Sequence, residues 1–556
     1  MNDPGAVQAG HEQQRADHFP PGDKSEIALR LRVGITGHRD VTAGHPGLTT
    51  EIANAIEYII ERLATDPGRV RSGEIALTAV SALAEGADRL VADEILKRKG
   101  SRLEIILPLP PEDYRRDFGS LASVDEFDEI RKKHGSITDT VQTAGSREQA
   151  YELAGHAVVD RSDVMIVVWD GEPARGRGGT ADIYSYAQRW QKPILLISIN
   201  DESAKLDTNH VPGTAKGNIP LSSESMMRLD EYNNERLSES AIGALPPLLA
   251  RTDTTRRLKS STQLNEHVSH YFARADLVAT RFQRQWFYAI RLLYTLAPLA
   301  VLVVAAQVTF WPDRIGYAWF EFAILIIIIA VLIVARWKRW HQRWVSARYL
   351  AEQMRSLTFL GLTGIVTLEK SPAAADGQAV AESSWTERAA QEIWFTRPRY
   401  VPDADISVLI AVLYEEWIKK QRKYHSGVSR KYSARSTQFQ AAAVGLFSLS
   451  ALFALLHSLG TAGTASRPFK WWDFLAIAIP GIAAALGGYG AQRDYLRHAE
   501  RSKLFAVTLD SASERLLTAG NLQDVQQAAL SVSRAMRSEA TDWYTVVHSQ
   551  DVELPA

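Results

Sequence analysis

The chain has 556 residues, of which 46% are hydrophobic and 23% charged, with a formal net charge of −1 and no cysteine. That length has room for about three or four domains of ordinary size. A near-neutral balance argues against wholesale binding of a polyanion, so no nucleic-acid partner is expected. The absence of thiols excludes disulfides, thiolate zinc sites, iron–sulfur clusters and a cysteine nucleophile.

Residues 1–27 are polar and rich in Gln, Asp, His and Pro, without an apolar stretch or cleavage pattern. They read as a disordered tail and not a signal peptide. Residues 28–200 alternate short apolar runs (Leu31–Ile35, Ile75–Val80, Leu103–Leu107, Val164–Val168 and Ile194–Ile199) with helix-like stretches at Leu48–Leu63, Gly86–Arg98, Glu148–Val159 and Ala181–Gln191. Near-continuous apolar strands separated by helices predict a doubly wound α/β domain with a parallel, Rossmann-like sheet covered on both faces.

Residues 201–265 read as a linker, because Asp201–Ser225 is full of Ser, Asn, Lys, Gly and Pro. The composition then changes sharply. Leu292–Phe310 carries no charge and as a helix would be about 28 Å long, near the thickness of a bilayer core. Tyr317–Ala335 follows, broken by Glu321 near one end. A first two-helix membrane module is therefore expected over 266–365, with spans near 292–310 and 317–335. After a linker at 366–405, a second is expected over 406–548, with spans near 439–459 and 474–492. The alternative is a pair of hairpins buried in a soluble core. Basic residues flank the outer ends of the spans: Arg281, Arg284 and Arg291; Arg336, Lys338, Arg339 and Arg343; Arg430, Lys431 and Arg435; Arg493, Arg497, Arg501 and Lys503. By the positive-inside rule this predicts a multi-pass protein of the inner (plasma) membrane with both termini cytoplasmic. The two modules look like a duplication offset by about 150 residues. Ala483, Gly487 and Ala491 recur at intervals of four and predict a close-packing face, either within the hairpin or in a homo-oligomer.

Three glycine turns follow strands and would share one edge of a parallel sheet, where ligands bind. They contribute Thr36, Gly37, His38 and Arg39; Glu85, Gly86 and Asp88; and Asp170 with Gly178, Gly179 and Thr180, the last opening a helix. Glycines admit close backbone approach, the His and Arg donate hydrogen bonds to phosphate or ribose oxygens, and a helix N-terminus favours an anion. No GxxxxGK[ST] occurs, which disfavours P-loop chemistry. No metal site and no catalytic set is assigned.

The order Val33-Gly34-Ile35-Thr36-Gly37-His38-Arg39, Ala84-Glu85-Gly86-Ala87-Asp88-Arg89, Leu107-Pro108-Leu109 and Gly178-Gly179-Thr180 with Lys192-Pro193 resembles the SLOG superfamily, the Rossmann-like group that contains the DprA and LOG domains. The duplicated hairpins, with Trp417-Ile418-Lys419-Lys420-Gln421, Tyr424-His425 and Glu539–Trp543, resemble SLATT membrane effectors. The resemblance implies a sensor of a nucleotide-derived ligand (NAD or ADP-ribose-like, or a cyclic nucleotide) coupled to a pore-forming, oligomeric effector in the lipid bilayer. Its setting would be bacterial antiviral defence, beside a signal-producing enzyme. A rival reading is a membrane-anchored enzyme that cleaves a nucleotide N-glycosidic bond. Enzymes of the resembling group carry a glutamate three residues after Gly-Thr, and here that position is Ile183, which weighs against catalysis. A third reading is a nucleotide-regulated channel or transporter, although Glu321 is the only charge well inside a span.

Overall fold

The computed structural model describes residues 25–64, 75–134, 137–140, 146–173, 178–200, 202–209, 224–249, 252–253, 255–258, 261–365, 380–398, 405–461 and 470–548. The expected disordered tail lies outside the described residues up to position 24, as do residues 462–469 between the two expected spans of the second module. The chain divides into two compact units, residues 1–236 with 366–396 and residues 237–365 with 397–556.

The first unit is an α/β sandwich around a seven-stranded sheet of order β4-β3-β2-β1-β5-β6-β7. The strands are β1 (Arg30–Gly37), β2 (Ala76–Ser81), β3 (Arg102–Leu107), β4 (Ile137–Thr140), β5 (Val164–Trp169), β6 (Ile194–Asn200) and β7 (Ser203–Asp207). The first six run parallel and β7 is antiparallel to β6. Successive strand residues face opposite sides, so one strand feeds two cores. Val164, Ile166 and Val168 join Leu31, Val33 and Ile35 on one face, whereas Met165 and Val167 join Ile106 and Leu196 on the other. The first face is covered by α1 (Leu48–Ala64), α2 (Ala87–Leu96) and, after the single turn α3 (Pro111–Tyr114), by Phe127 of α4 (Leu121–His134). The second is covered by α5 (Arg147–Arg161) and α6 (Thr180–Arg189). Each fully buried Leu, Ile or Val here contributes about 1.5–3 kcal/mol.

The expected strands and helices appear within one or two residues of their predicted bounds. β4, β7 and α4 were not expected. β4 and β7 are short and polar, and their pairing to β3 and β6 makes them strands. The predicted linker 201–265 also holds β7, α7 (Glu224–Asn233), α8 (Glu239–Gly243) and the first turn of α9 (Ser261–Phe310).

The predicted linker 366–405 is corrected more substantially, because α12 (Val380–Thr396) belongs to the α/β unit. Its Glu392 carboxylate accepts from Arg30 at 2.9 Å and Arg102 at 2.8 Å. Its Arg388 donates to the Arg30 carbonyl at 3.0 Å and to Asp163 Oδ2 at 2.9 Å. Burial opposes the charge on Asp163, but Arg388 and the Arg32 N–H hold its carboxyl below the usual range. Arg30 and Arg102 start β1 and β3, and Asp163 immediately precedes β5, so α12 closes the amino-terminal edge of the sheet. The ring of Trp385 also packs against Tyr232 of α7, at 5.1 Å.

The second unit is helical, and among the described residues four helices are long and apolar enough to cross a membrane. α9 runs unbroken for 50 residues and merges the polar stretch around His270 with the first apolar segment. α10 (Ala318–Trp337) and α11 (Trp340–Leu362) follow. After α13 (Ile406–Val412) and a π-helical turn at Leu413–Ile418 come α14 (Lys419–Thr461), α15 (Lys470–Gln492), α16 (Tyr495–Leu517) and α17 (Leu522–His548). The buried-core alternative does not hold for this chain, since Ile326, Ile327, Ile329 and Ile333 are 47–61% exposed. A stripe of that kind needs an apolar medium or partner.

The duplication is visible in the backbone. α10 ends at Trp337, Arg339 adopts the left-handed conformation, and α11 runs from Trp340 to Leu362. α15 ends at Gln492, Asp494 adopts the same conformation, and α16 runs from Tyr495 to Leu517. Each of these positions in the second half lies 155 residues after its counterpart (339 to 494, 362 to 517). The non-glycine αL corner, costly for a side chain, therefore recurs in register where side-chain identity does not.

α9 packs on α11 and α15, and α14 packs on α15 and α16. The close approach between α15 and α9 uses glycines other than the expected face. A Cβ at Gly481 would lie 2.8 Å from Val301 Cγ1, and one at Gly488 would lie 2.9 Å from Tyr294 Cε1. Of the expected set, Ala483 is buried, a Cβ at Gly487 would meet nothing within 4 Å, and Ala491 is exposed.

Candidate functional site

In the α/β unit the chain leaves β1 towards β2 on one side, whereas β5 lies on the other side of β1. The crevice at the carboxyl ends of β1 and β5 is thus the topological switch point, where open α/β sheets bind ligands. A cavity of about 280 Å³ lies there, lined by residues of the β1, β2 and β5 turns, of α5 and of the start of α6. That volume is near the lower end for small-molecule sites.

Thr36, Gly37, His38, Arg39, Asp88, Gly178, Gly179 and Thr180 all line the cavity. Gly37 is required by packing, because a Cβ there would lie 2.5 Å from that of Ala87 and 2.9 Å from that of Val168. The His38 N–H donates to the Val168 carbonyl at 3.2 Å, which extends the β1–β5 ladder into the turn. The His38 ring is held from the β5 side, with Nε2 2.9 Å from Asp170 Oδ1. Burial works against the Asp170 charge, but hydrogen bonds from the Glu172 N–H and His38 keep its carboxyl below the usual range. Arg39 lies over the Tyr151 ring, its Cζ 5.1 Å from the centroid.

The other three predicted residues act behind the cavity and do not line it. Asp170 orients His38. Gly86, with φ +76°, lets α2 approach β1: a Cβ would fall 2.4 Å from the Arg39 carbonyl oxygen, and the Ala87 N–H donates to the His38 carbonyl at 3.0 Å. The amino end of α2 thus grips the turn that carries His38 and Arg39. Glu85 accepts from the Gly119 N–H at 2.9 Å, and this tethers the segment between α3 and α4.

Gly178, with φ +78°, passes so close to α5 that a Cβ would lie 2.6 Å from the Glu152 nitrogen. Its N–H donates to Asp182 Oδ2 at 3.1 Å. This backbone approach aims the amino end of α6, with Gly179, Thr180 and Ala181, into the cavity. Ile183, one turn on, is 1% exposed and packed on Gly155.

No family model, no curated protein and no solved structure matches the chain.

Two cavity residues carry unusual polar chemistry. The Asp88 side chain is buried, and that burial pushes its carboxyl up to about 6, against hydrogen bonds that include Ser81 Oγ at 2.7 Å and against the charges of Arg39 and Arg89. Tyr114 is 0% exposed, and its hydroxyl has no hydrogen-bond partner among the described residues. A buried, unpaired hydroxyl costs about 1–3 kcal/mol, a cost that a ligand atom in the cavity would remove. Sequence reading did not single out Tyr114, because it lies in a one-turn helix after β3 with no motif around it. Glu152, His156 and Asp182 were missed as well. One ligand atom from each falls within 4.8 Å of the others, and the His156 ring stacks on Tyr186 at 3.8 Å. The i,i+4 spacing of Glu152 and His156 on one helix was the available signal. An imidazole with two carboxylates is a donor set that suits a divalent metal ion.

Proposed function

We propose that the chain is a sensor–effector: the α/β unit takes up a nucleotide-derived ligand, and the helical unit, inserted in a bilayer, opens or assembles a pore in response. The observation that carries this reading is the switch-point cavity. It combines a backbone cradle at Gly178–Thr180 with two cationic or hydrogen-bonding side chains, His38 and Arg39, and two buried polar groups, Asp88 and Tyr114. Phosphate oxygens suit the helix terminus and Arg39, while a ribose or base suits the carboxyl and the phenol. The same chain carries four helices fit to span a membrane. The SLOG-like and SLATT-like motifs support the same reading, and with it a role in antiviral defence. The basic flanks of the spans support a plasma-membrane protein with cytoplasmic termini, and two hairpins per chain make a thin bundle, which favours a homo-oligomeric pore.

Dye-loaded liposomes carrying the purified protein test the proposal. Release is expected on addition of one of NAD, ADP-ribose or a cyclic nucleotide, and is expected to be lost when His38→Ala is combined with Arg39→Ala. Release from none of the ligand-treated liposomes would count against the pore. Ligand-induced thermal stabilisation that the double variant leaves unchanged would count against the site.

One observation favours a second reading, cleavage of a nucleotide N-glycosidic bond. A carboxyl pushed up to about 6 in a cleft is poised for proton transfer near neutral pH. Mass spectrometry of NAD and nucleoside monophosphates incubated with the protein tests it: base release abolished by Asp88→Asn would establish catalysis and displace the sensor reading.

A further inference from the structure

The helical unit holds a cavity of its own, about 340 Å³, lined by residues of α9, α11, α14, α16 and α17 and by Gln492 and Arg493. It lies where the polar ends of the long helices meet, beside the residues that flank the apolar segments. Its lining includes three arginines and two glutamates. Both glutamates are already engaged: Glu352 with Arg348 at 2.7 Å and also with Arg355, and Glu539 with Arg501 at 3.4 Å. Arg493 is held differently. Its guanidinium carbon lies 3.9 Å from the centroid of the Phe287 ring, and its Nε donates to the Tyr495 hydroxyl at 3.2 Å. Both partners are neutral. A cation held over a ring face and a phenol keeps most of its charge available to an incoming anion.

The far end of the cavity has a second unmatched group. His425 is 9% exposed, and its Nδ1 has no hydrogen-bond partner among the described residues. The ring is wedged against Phe505 at 4.7 Å and Tyr424 at 5.1 Å. Tyr432, seven positions further along α14, packs on Tyr495 at 5.5 Å. His425 therefore sits about 10 Å, two helical turns, from the Arg493 end. The intervening walls include Trp286, Phe287 and Trp344.

We propose that this cavity is a second ligand site, for an elongated phosphate ester. The phosphate would meet Arg493 at one end, and a hydrogen-bonding group about 10 Å away would meet Nδ1 of His425. The body of the molecule would lie against the aromatic walls. The phosphate has two sources, an anionic lipid headgroup from the bilayer or a soluble ester. The site is independent of the α/β cavity, and because its walls come from both hairpin modules, an occupant would bias the packing of all four long helices.

The test uses the full chain in a neutral detergent, with His38→Ala and Arg39→Ala present so that the first cavity does not contribute. Phosphatidylglycerol and adenosine monophosphate are titrated separately and binding is followed by thermophoresis. At least one should bind, and Arg493→Gln should weaken it roughly tenfold. Arg497→Gln, an exposed neighbour outside the cavity, should leave binding unchanged. Binding of phosphatidylglycerol alone assigns the site to lipid, and of adenosine monophosphate alone to a soluble ester. If Arg493→Gln fails to fold, His425→Phe provides the same comparison at the other end. No binding of either probe, or equal affinity in the parent and the Arg493 and His425 variants, overturns the proposal.

Discussion

Ile183 occupies the space that a side chain at position 155 would need: a Cβ on Gly155 would lie 2.2 Å from Ile183 Cδ1. The position where the resembling enzymes carry a glutamate is here part of the core between α5 and α6, with Ala154, Val158 and Ala187 around it. Ile183 also lines the cavity, so a carboxylate introduced there would be buried at the cavity wall.

Ile183→Glu should accordingly destabilise the α/β unit by several kcal/mol without creating hydrolase activity. Gly155→Ala should cost about 1–3 kcal/mol through overpacking. Chemical denaturation of both variants, with base release assayed alongside, checks this. A stable, hydrolytic Ile183→Glu protein would mean that the cavity wall at Ile183 accommodates the carboxylate.

Asp88 makes the stability of the α/β unit depend on pH in the opposite sense to a salt-bridged carboxylate. Its folded value is near 6, above the ordinary 3.8, so the native state binds the extra proton. The stabilisation is complete below about pH 4 and is lost as pH rises through 6. Asp88→Asn, which retains an acceptor for Ser81, should stabilise the protein at pH 7–8 by an amount on the order of 2 kcal/mol and have little effect near pH 4. Melting temperatures of the two proteins across that range should converge at the acid end; parallel curves would sink the assignment.

Glu392 lies in a segment that composition alone marks as a linker, yet it is buried against Arg30, also buried, and the half-buried Arg102. Removing one member of such a network leaves uncompensated charge. Glu392→Ala should therefore cost about 3–5 kcal/mol, measured by denaturation. A loss under 1 kcal/mol would show that α12 does not hold the sheet edge. The depressed Asp163 carboxyl acts in the acid range: its contribution is present above its ordinary pKa and is lost as pH falls through the lower folded value.

Gly481 and Gly487 differ in what a larger side chain would meet. Gly481→Leu should push α15 off Val301 of α9 and lower the melting temperature in detergent, at a cost of about 1–3 kcal/mol. Gly487→Leu, which faces open space within the single chain, should leave that melting temperature unchanged. Equal effects of the two would refute the α9–α15 contact described above.

The amino-acid sequence by itself determined the parallel sheet, the four apolar helices and the three glycine turns. Each of these follows from local periodicity: near-continuous β-branched runs for Val164–Val168, a charge-free stretch for Leu292–Phe310, glycine after a strand for Gly37. It also brought eight of the eleven expected ligand residues to one cavity, because parallel strands put their turns on a single edge. Only the tertiary structure separated the residues that line the cavity from Glu85, Gly86 and Asp170, which brace it. Side-chain direction depends on what the neighbouring element offers, and residue type does not encode that. The same limit hid Tyr114, α12 and the Arg493–His425 cavity, whose partners lie far apart in the chain. Burial and pairing of that kind arise from long-range packing, and no local pattern carries them. The single αL corner within each half, Arg339 and Asp494, shows the converse, a pattern shared in the backbone where the side chains differ.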